Sequence, residues 1–135
     1  MSTAPKLLLD CAKRIHESGT CEATRRAVAS RAYYAGYHAA KQFHESLATP
    51  GFVKETKGRH QQLLSQLAFP GISENNKKHN ISIALGKMLR PAYELRVTAD
   101  YFLNDEVSDV DVAQALKGCE DLIAISEKYV AQAAA

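Results

Sequence analysis

Ser30-Arg31-Ala32-Tyr33-Tyr34-Ala35-Gly36-Tyr37-His38-Ala39-Ala40 is the stretch whose reading decides the fold. It is rich in alanine, contains no proline and has one glycine, Gly36, so it reads as the interior of a helix. Working outward, the pattern extends back to Thr20, a residue suited to capping a helix start, and forward to about Ala48, where Pro50-Gly51 ends it. The rest of the chain is punctuated in the same way. Proline and glycine fall in clusters rather than at the even 8–12-residue spacing of β-sandwich turns.

Four further helices follow from the punctuation. The first starts near Pro5, sets Leu8, Ala12 and Ile15 on one side and stops at Gly19. A third, shorter one runs from about Arg59 to Phe69 and is closed by Pro70-Gly71, after a connection over about residues 49–57. Residues 72–80 are polar and read as a second connection. The fourth runs from about Asn80 to Leu103, with Ile81, Leu85, Leu89, Tyr93 and Val97 roughly in register. Pro91 lies inside it and is expected to kink it or divide it into two pieces. Ser108 or Asp109 caps the fifth, which carries Val112, Ala115, Leu116, Cys119, Ile123 and Val130 to the C-terminus. The expectation is one all-α domain over residues 1–135, an up-and-down bundle of four or five helices with short connections.

Composition narrows the function classes. The 135 residues are 46% hydrophobic and 24% charged, the pattern of a globular chain that can bury a single core. No apolar run approaches the roughly 18–20 residues of a bilayer span, and Leu7–Leu9 is too short for the core of a signal peptide, so a cytoplasmic protein without a membrane role is expected. Three cysteines, Cys11, Cys21 and Cys119, are an odd count at unrelated spacings and read as buried reduced thiols. The net charge of +2 is unevenly spread. Residues 1–70 hold ten Lys and Arg against five Asp and Glu (+5), and residues 71–135 hold seven against ten (−3). A basic half attracts polyphosphates, although a mixed solvated helix surface reads the same way.

The familiar cofactor signatures are missing. Gly86-Lys87-Met88 lacks the first glycine and the Ser/Thr of a phosphate-binding loop, and there is no Gly-x-Ser-x-Gly elbow. His38 and His44 are six apart rather than four, and no Cys-x-x-Cys is present, so no metal and no cofactor are expected. What remains is the pairing within the second helix. Seven residues turn a helix by about 700°, so Arg31 and His38 lie within roughly 20° of one face and about 10 Å apart along the axis, with small Ala35 between them. A guanidinium binds phosphate through two hydrogen bonds, and an imidazole near neutrality moves protons. Those are the requirements of metal-free phosphodiester cleavage in RNA, and a two-fold helix contact would double them around one cleft. Equally, Arg31 can pair with a carboxylate such as Asp100, and His38 can be a satisfied interhelical histidine. Tyr33, Tyr34 and Tyr37 cover more than half of the helix circumference, so at least one belongs to the core. One of these tyrosines can stack on a base, although packing in an aromatic core is the more common role. Later in the chain, Arg96 and Asp100 form an i, i+4 pair, with Arg96 equally able to contact a ligand.

At these segments the sequence resembles the HEPN domain family, small all-α domains. The likeness is to its stand-alone branch, whose second helix reads Arg-Ala-Tyr-Tyr-Ala-x-x-His-Ala-Ala, here Arg31 through Ala40. Gly58-Arg59-His60 and the later Arg96, Ala99, Asp100 and Tyr101 extend the likeness to about residues 20–130. The resemblance implies a HEPN-like bundle and a metal-independent endoribonuclease or RNA-binding protein of toxin–antitoxin or phage-defence type, acting as a homodimer. It implies catalysis by Arg31 and His38, spaced Arg-x6-His, with Tyr34, Arg96 and Tyr101 binding substrate. The alternative it carries is a non-catalytic partner, or nucleotide-binding module, of a nucleotidyltransferase-type antitoxin.

Overall fold

The computed structural model describes residues 3–19 and 21–134, with side chains through residue 131. Five helices and no strand are found among the described residues. They are α1 (Pro5–Ser18), α2 (Glu22–Glu45), α3 (Gly58–Ala68), α4 (Lys77–Tyr101) and α5 (Asp109–Ala134). The fold is an all-α bundle, and α2 is its axis, packing against each of the other four helices. Among the described residues no helix is long and apolar enough to cross a membrane.

The position of α2 explains its composition. Val28, Ala29, Ala32, Tyr33, Ala35, Gly36, Tyr37, Ala39, Ala40 and Phe43 are all buried, so small residues occupy most of its circumference. Small side chains let neighbouring backbones approach closely, and Gly36 marks the tightest point. A Cβ there would stand 2.9 Å from Cys119 Sγ of α5. Around this axis Leu9 and Ala12 of α1, Leu64 and Leu67 of α3, Leu85 and Leu89 of α4, and Val112 and Leu122 of α5 complete one core. Full burial of each large apolar side chain contributes about 1.5–3 kcal/mol before the entropy of ordering it is subtracted.

Boundaries differ from expectation where local hydrogen bonds intervene. The helix expected to reach Ala48 stops at Glu45, because the Ser46 N–H and hydroxyl both turn back to carbonyls of the last turn, including that of Phe43. The cap assigned to Thr20 lies outside the described residues. Ser108, not Asp109, caps α5, its hydroxyl accepting from the Asp111 N–H at 3.1 Å. Division of the fourth helix at Pro91 does not occur: α4 is one element from Lys77 to Tyr101. Pro91 and Lys87, one turn earlier, are both exposed, so the missing N–H leaves a carbonyl that water can satisfy. All three cysteines are free thiols, but only Cys119 is buried as expected: Cys11 is half-buried and Cys21, just before the first turn of α2, is exposed.

Arg26 locks α2 to the end of α4. Its guanidinium donates to the carbonyls of Thr98 (3.0 Å), Ala99 (3.1 Å) and Phe102 (3.2 Å), and also to that of Asp105. Glu22, one turn earlier, accepts from Arg26 Nε and, through its other oxygen, from the Val107 N–H at 2.8 Å. Carbonyls at the α4 C-terminus and an N–H of the chain leading to α5 are thereby bonded from one helix.

Candidate functional site

One stripe of α2 is left uncovered by the bundle. Positions 31, 34, 38 and 41 follow the i, i+3, i+7, i+10 spacing of a single helix face, and Arg31, Tyr34, His38 and Lys41 stand there. Beside them Tyr33 and Tyr37 turn inward and are buried. The first turn of α3 then closes one side. Gly58 takes φ +83°, a left-handed conformation that glycine adopts without strain, and the Lys57 N–H donates to Gln61 Oε1 at 3.0 Å. That entry brings Arg59 and His60 against the α2 face, while α4 supplies Arg96. The result is a cavity of about 310 Å³ lined by Ser30, Arg31, Tyr33, Tyr34, Tyr37, His38, Lys41, Arg59, His60 and Arg96. Four of these residues are cationic and none is acidic.

The charges are held in different ways. Arg96 Nε binds Asp100 at 2.9 Å, and its guanidinium lies over the rings of Tyr33 (5.9 Å) and Tyr101 (5.3 Å). Ser30 donates to the same Asp100 carboxylate at 3.3 Å. Arg31 is exposed and makes no hydrogen bond or ion pair with any described residue, so the alternative pairing of Arg31 with Asp100 is not found. Asp100 already serves Arg96 and Ser30. Lys41 has only a surface pairing with Glu45 at 3.7 Å, which contributes little.

The two imidazoles are distinct. His38 is half-buried, edge-on to Tyr34 at 4.3 Å and to Tyr37 at 5.2 Å, and forms no hydrogen bond with a described residue. It is therefore not the satisfied interhelical histidine of the alternative reading. Burial, then Lys41 and Arg59, push its pKa below the usual imidazole value, so at neutral pH it is an uncharged ring with a lone pair to offer. His60 is anchored: its Nδ1 lies 2.8 Å from the Tyr33 hydroxyl, and its ring packs on Tyr37 at 4.7 Å and Tyr93 at 6.3 Å. Burial, Arg96, Arg59 and His38 all lower its pKa. Tyr33 is 1% exposed, and burial raises its pKa, so its phenol keeps its proton.

Of the residues assigned from sequence, the structure brings Arg31, His38, Tyr34 and Arg96 together in this cavity. Tyr101 ends α4, is 66% exposed and lies outside the lining, joined to it through Arg96. Lys41 was legible as the next position of the Arg31–Tyr34–His38 stripe. In the sequence Arg59 and His60 belong only to the family likeness and carry no site role, because only the path of the loop between α2 and α3 sets them beside α2. Among the described residues no group of three or more His, Cys, Asp or Glu could hold a metal ion. No family model, curated protein or solved structure matches the chain.

Proposed function

We propose that the protein is a metal-independent RNA-cleaving or RNA-binding protein of HEPN type, acting as a cytoplasmic homodimer in a toxin–antitoxin or phage-defence setting. One observation carries this reading: a cavity with four cationic side chains, no carboxylate in its lining and an uncharged, unbonded imidazole. Such a lining favours a phosphodiester over a neutral or cationic ligand. His38 takes the proton of the attacking 2′-hydroxyl, the O2′–P bond forms as the P–O5′ bond breaks, and the 5′-oxygen leaves with a proton taken from water. Arg31, which has no partner among the described residues, neutralises charge as it builds on phosphorus. Tyr34, 45% exposed at the rim, offers a ring face for a base. Because Arg31 and His38 both reach the surface, a two-fold contact along this face of α2 sets two copies of each around one groove.

The test is to incubate the purified protein with single-stranded RNA in EDTA. Fragments ending in 2′,3′-cyclic phosphate are expected, with Arg31→Ala and His38→Ala each lowering the rate at least about 100-fold while the helical circular-dichroism signal is kept. Cleavage unchanged in either variant removes that residue from the mechanism. RNA bound tightly and left intact by the wild type reduces the reading to its binding half.

A further inference from the structure

His60 is the part of the cavity that the Arg31–His38 reading does not use, and its hydrogen bond says which nitrogen holds the proton. The Tyr33 hydroxyl is buried, and its one hydrogen-bond partner among the described residues is His60 Nδ1. A buried O–H must donate, so Nδ1 accepts, and the proton of the uncharged ring sits on Nε2. The rings of Tyr37 and Tyr93 hold the imidazole in that orientation. Arg59 and Arg96 oppose a second proton. The ring is thus fixed as a neutral Nε2–H donor, in a lining that carries four cationic side chains.

We propose that His60 donates its Nε2–H to a non-bridging oxygen of the bound phosphodiester, and that Tyr33 is the positioning residue that enforces this tautomer. The assignment rests on the reading above for the identity of the substrate. It divides the work between two imidazoles of one chain: His38 keeps its lone pair and accepts a proton, whereas His60 presents a hydrogen and stabilises charge on phosphorus. The donor is built before substrate arrives and needs no partner subunit.

A 2′-deoxydinucleotide, which has the phosphodiester but no attacking hydroxyl, tests the assignment without any turnover. Nitrogen-15 NMR of histidine-labelled protein should show His60 as the Nε2–H tautomer, and Tyr33→Phe should convert it to a mixture. Adding the dinucleotide should shift the His60 Nε2–H resonance. His60→Ala should weaken binding about tenfold, and His60→Gln, whose amide N–H can occupy the Nε2 position, should restore most of it. An Nδ1–H tautomer in the wild type, an Nε2 resonance unmoved by the dinucleotide, or wild-type affinity in His60→Ala overturns the proposal. These outcomes are separable from the RNA test. A protein that binds the dinucleotide through His60 and never cleaves RNA loses the nuclease reading alone, and one that cleaves RNA normally without His60 loses this assignment alone.

Discussion

At the scale of a single residue, what distinguishes His38 from the other buried or half-buried histidines is that it has no hydrogen-bond partner among the described residues. His44 accepts from the Gly51 N–H at 3.0 Å, and His60 is bonded to Tyr33, so both rings are committed to structure or orientation. His38 is held by ring contacts alone, and the cations Lys41 and Arg59 act with its burial to lower its pKa. A general base works only when deprotonated, so kcat/KM for RNA cleavage should rise with pH and level off, its acidic midpoint below the 6.5 of a free imidazole. Lys41→Gln and Arg59→Gln each remove a positive neighbour and should move that midpoint upward, towards 6.5. A pH–rate profile of each variant reads the shift directly, and a midpoint that stays put or falls removes His38 as the base.

At the scale of the element, the informative arginine of α2 is one whose role sequence spacing does not reveal. Arg31 and Arg26 lie on the same helix, yet among the described residues Arg31 has no hydrogen-bond or ion-pair partner whereas Arg26 has several. The Arg26 side chain is 11% exposed and donates to the carbonyls of Thr98 and Ala99 at the end of α4 and of Phe102 just beyond it. Arg26→Ala should therefore lower the unfolding free energy by about 2–4 kcal/mol, measured by urea denaturation. Arg26→Lys should recover less than half, because one ammonium cannot reach the spread of carbonyls that the guanidinium fork spans. Hydrogen exchange should accelerate first at residues 102–108, the segment Arg26 and Glu22 hold. The same contrast measures what the sequence discloses. Helix number, the α1 start at Pro5 and the core register of Leu85 and Leu89 follow from local punctuation and periodicity, which are properties of neighbours in the chain. The Arg31–Tyr34–His38 stripe follows for the same reason. Arg26 serving carbonyls 72 residues away, or His60 reaching Tyr33 across a loop, depends on how the helices dock, and no local pattern encodes docking.

At the scale of the whole molecule, three histidines and two glutamates, Glu22 and Glu120, make stability fall with acid in two stages, the Glu120 carboxyl being held down by the hydrogen bond it accepts from Lys13. His38, His44 and His60 all have pKa values lowered chiefly by burial, so the unfolded chain takes up protons before the folded one. Their contribution is fully present above about 6.5, the unfolded value, and drains away as pH falls through the lower folded values. Glu22 acts in the next window. Its hydrogen bonds to Arg26 and to the Val107 N–H hold its carboxyl below 4.5, so it favours the fold above that pH and ceases to do so as pH falls through its folded value. Urea midpoints measured from pH 8 to pH 3 should be flat down to about 6.5, decline, and then decline again below about 4.5. His44→Gln, which keeps an acceptor for the Gly51 N–H without titrating, should shallow the first decline and leave the second. Glu22→Gln should do the reverse. A midpoint that rises as the solution is acidified from pH 6.5 would mean that the imidazoles are stabilised as cations in the fold. That result would also deny His38 the lone pair on which the proposed chemistry turns.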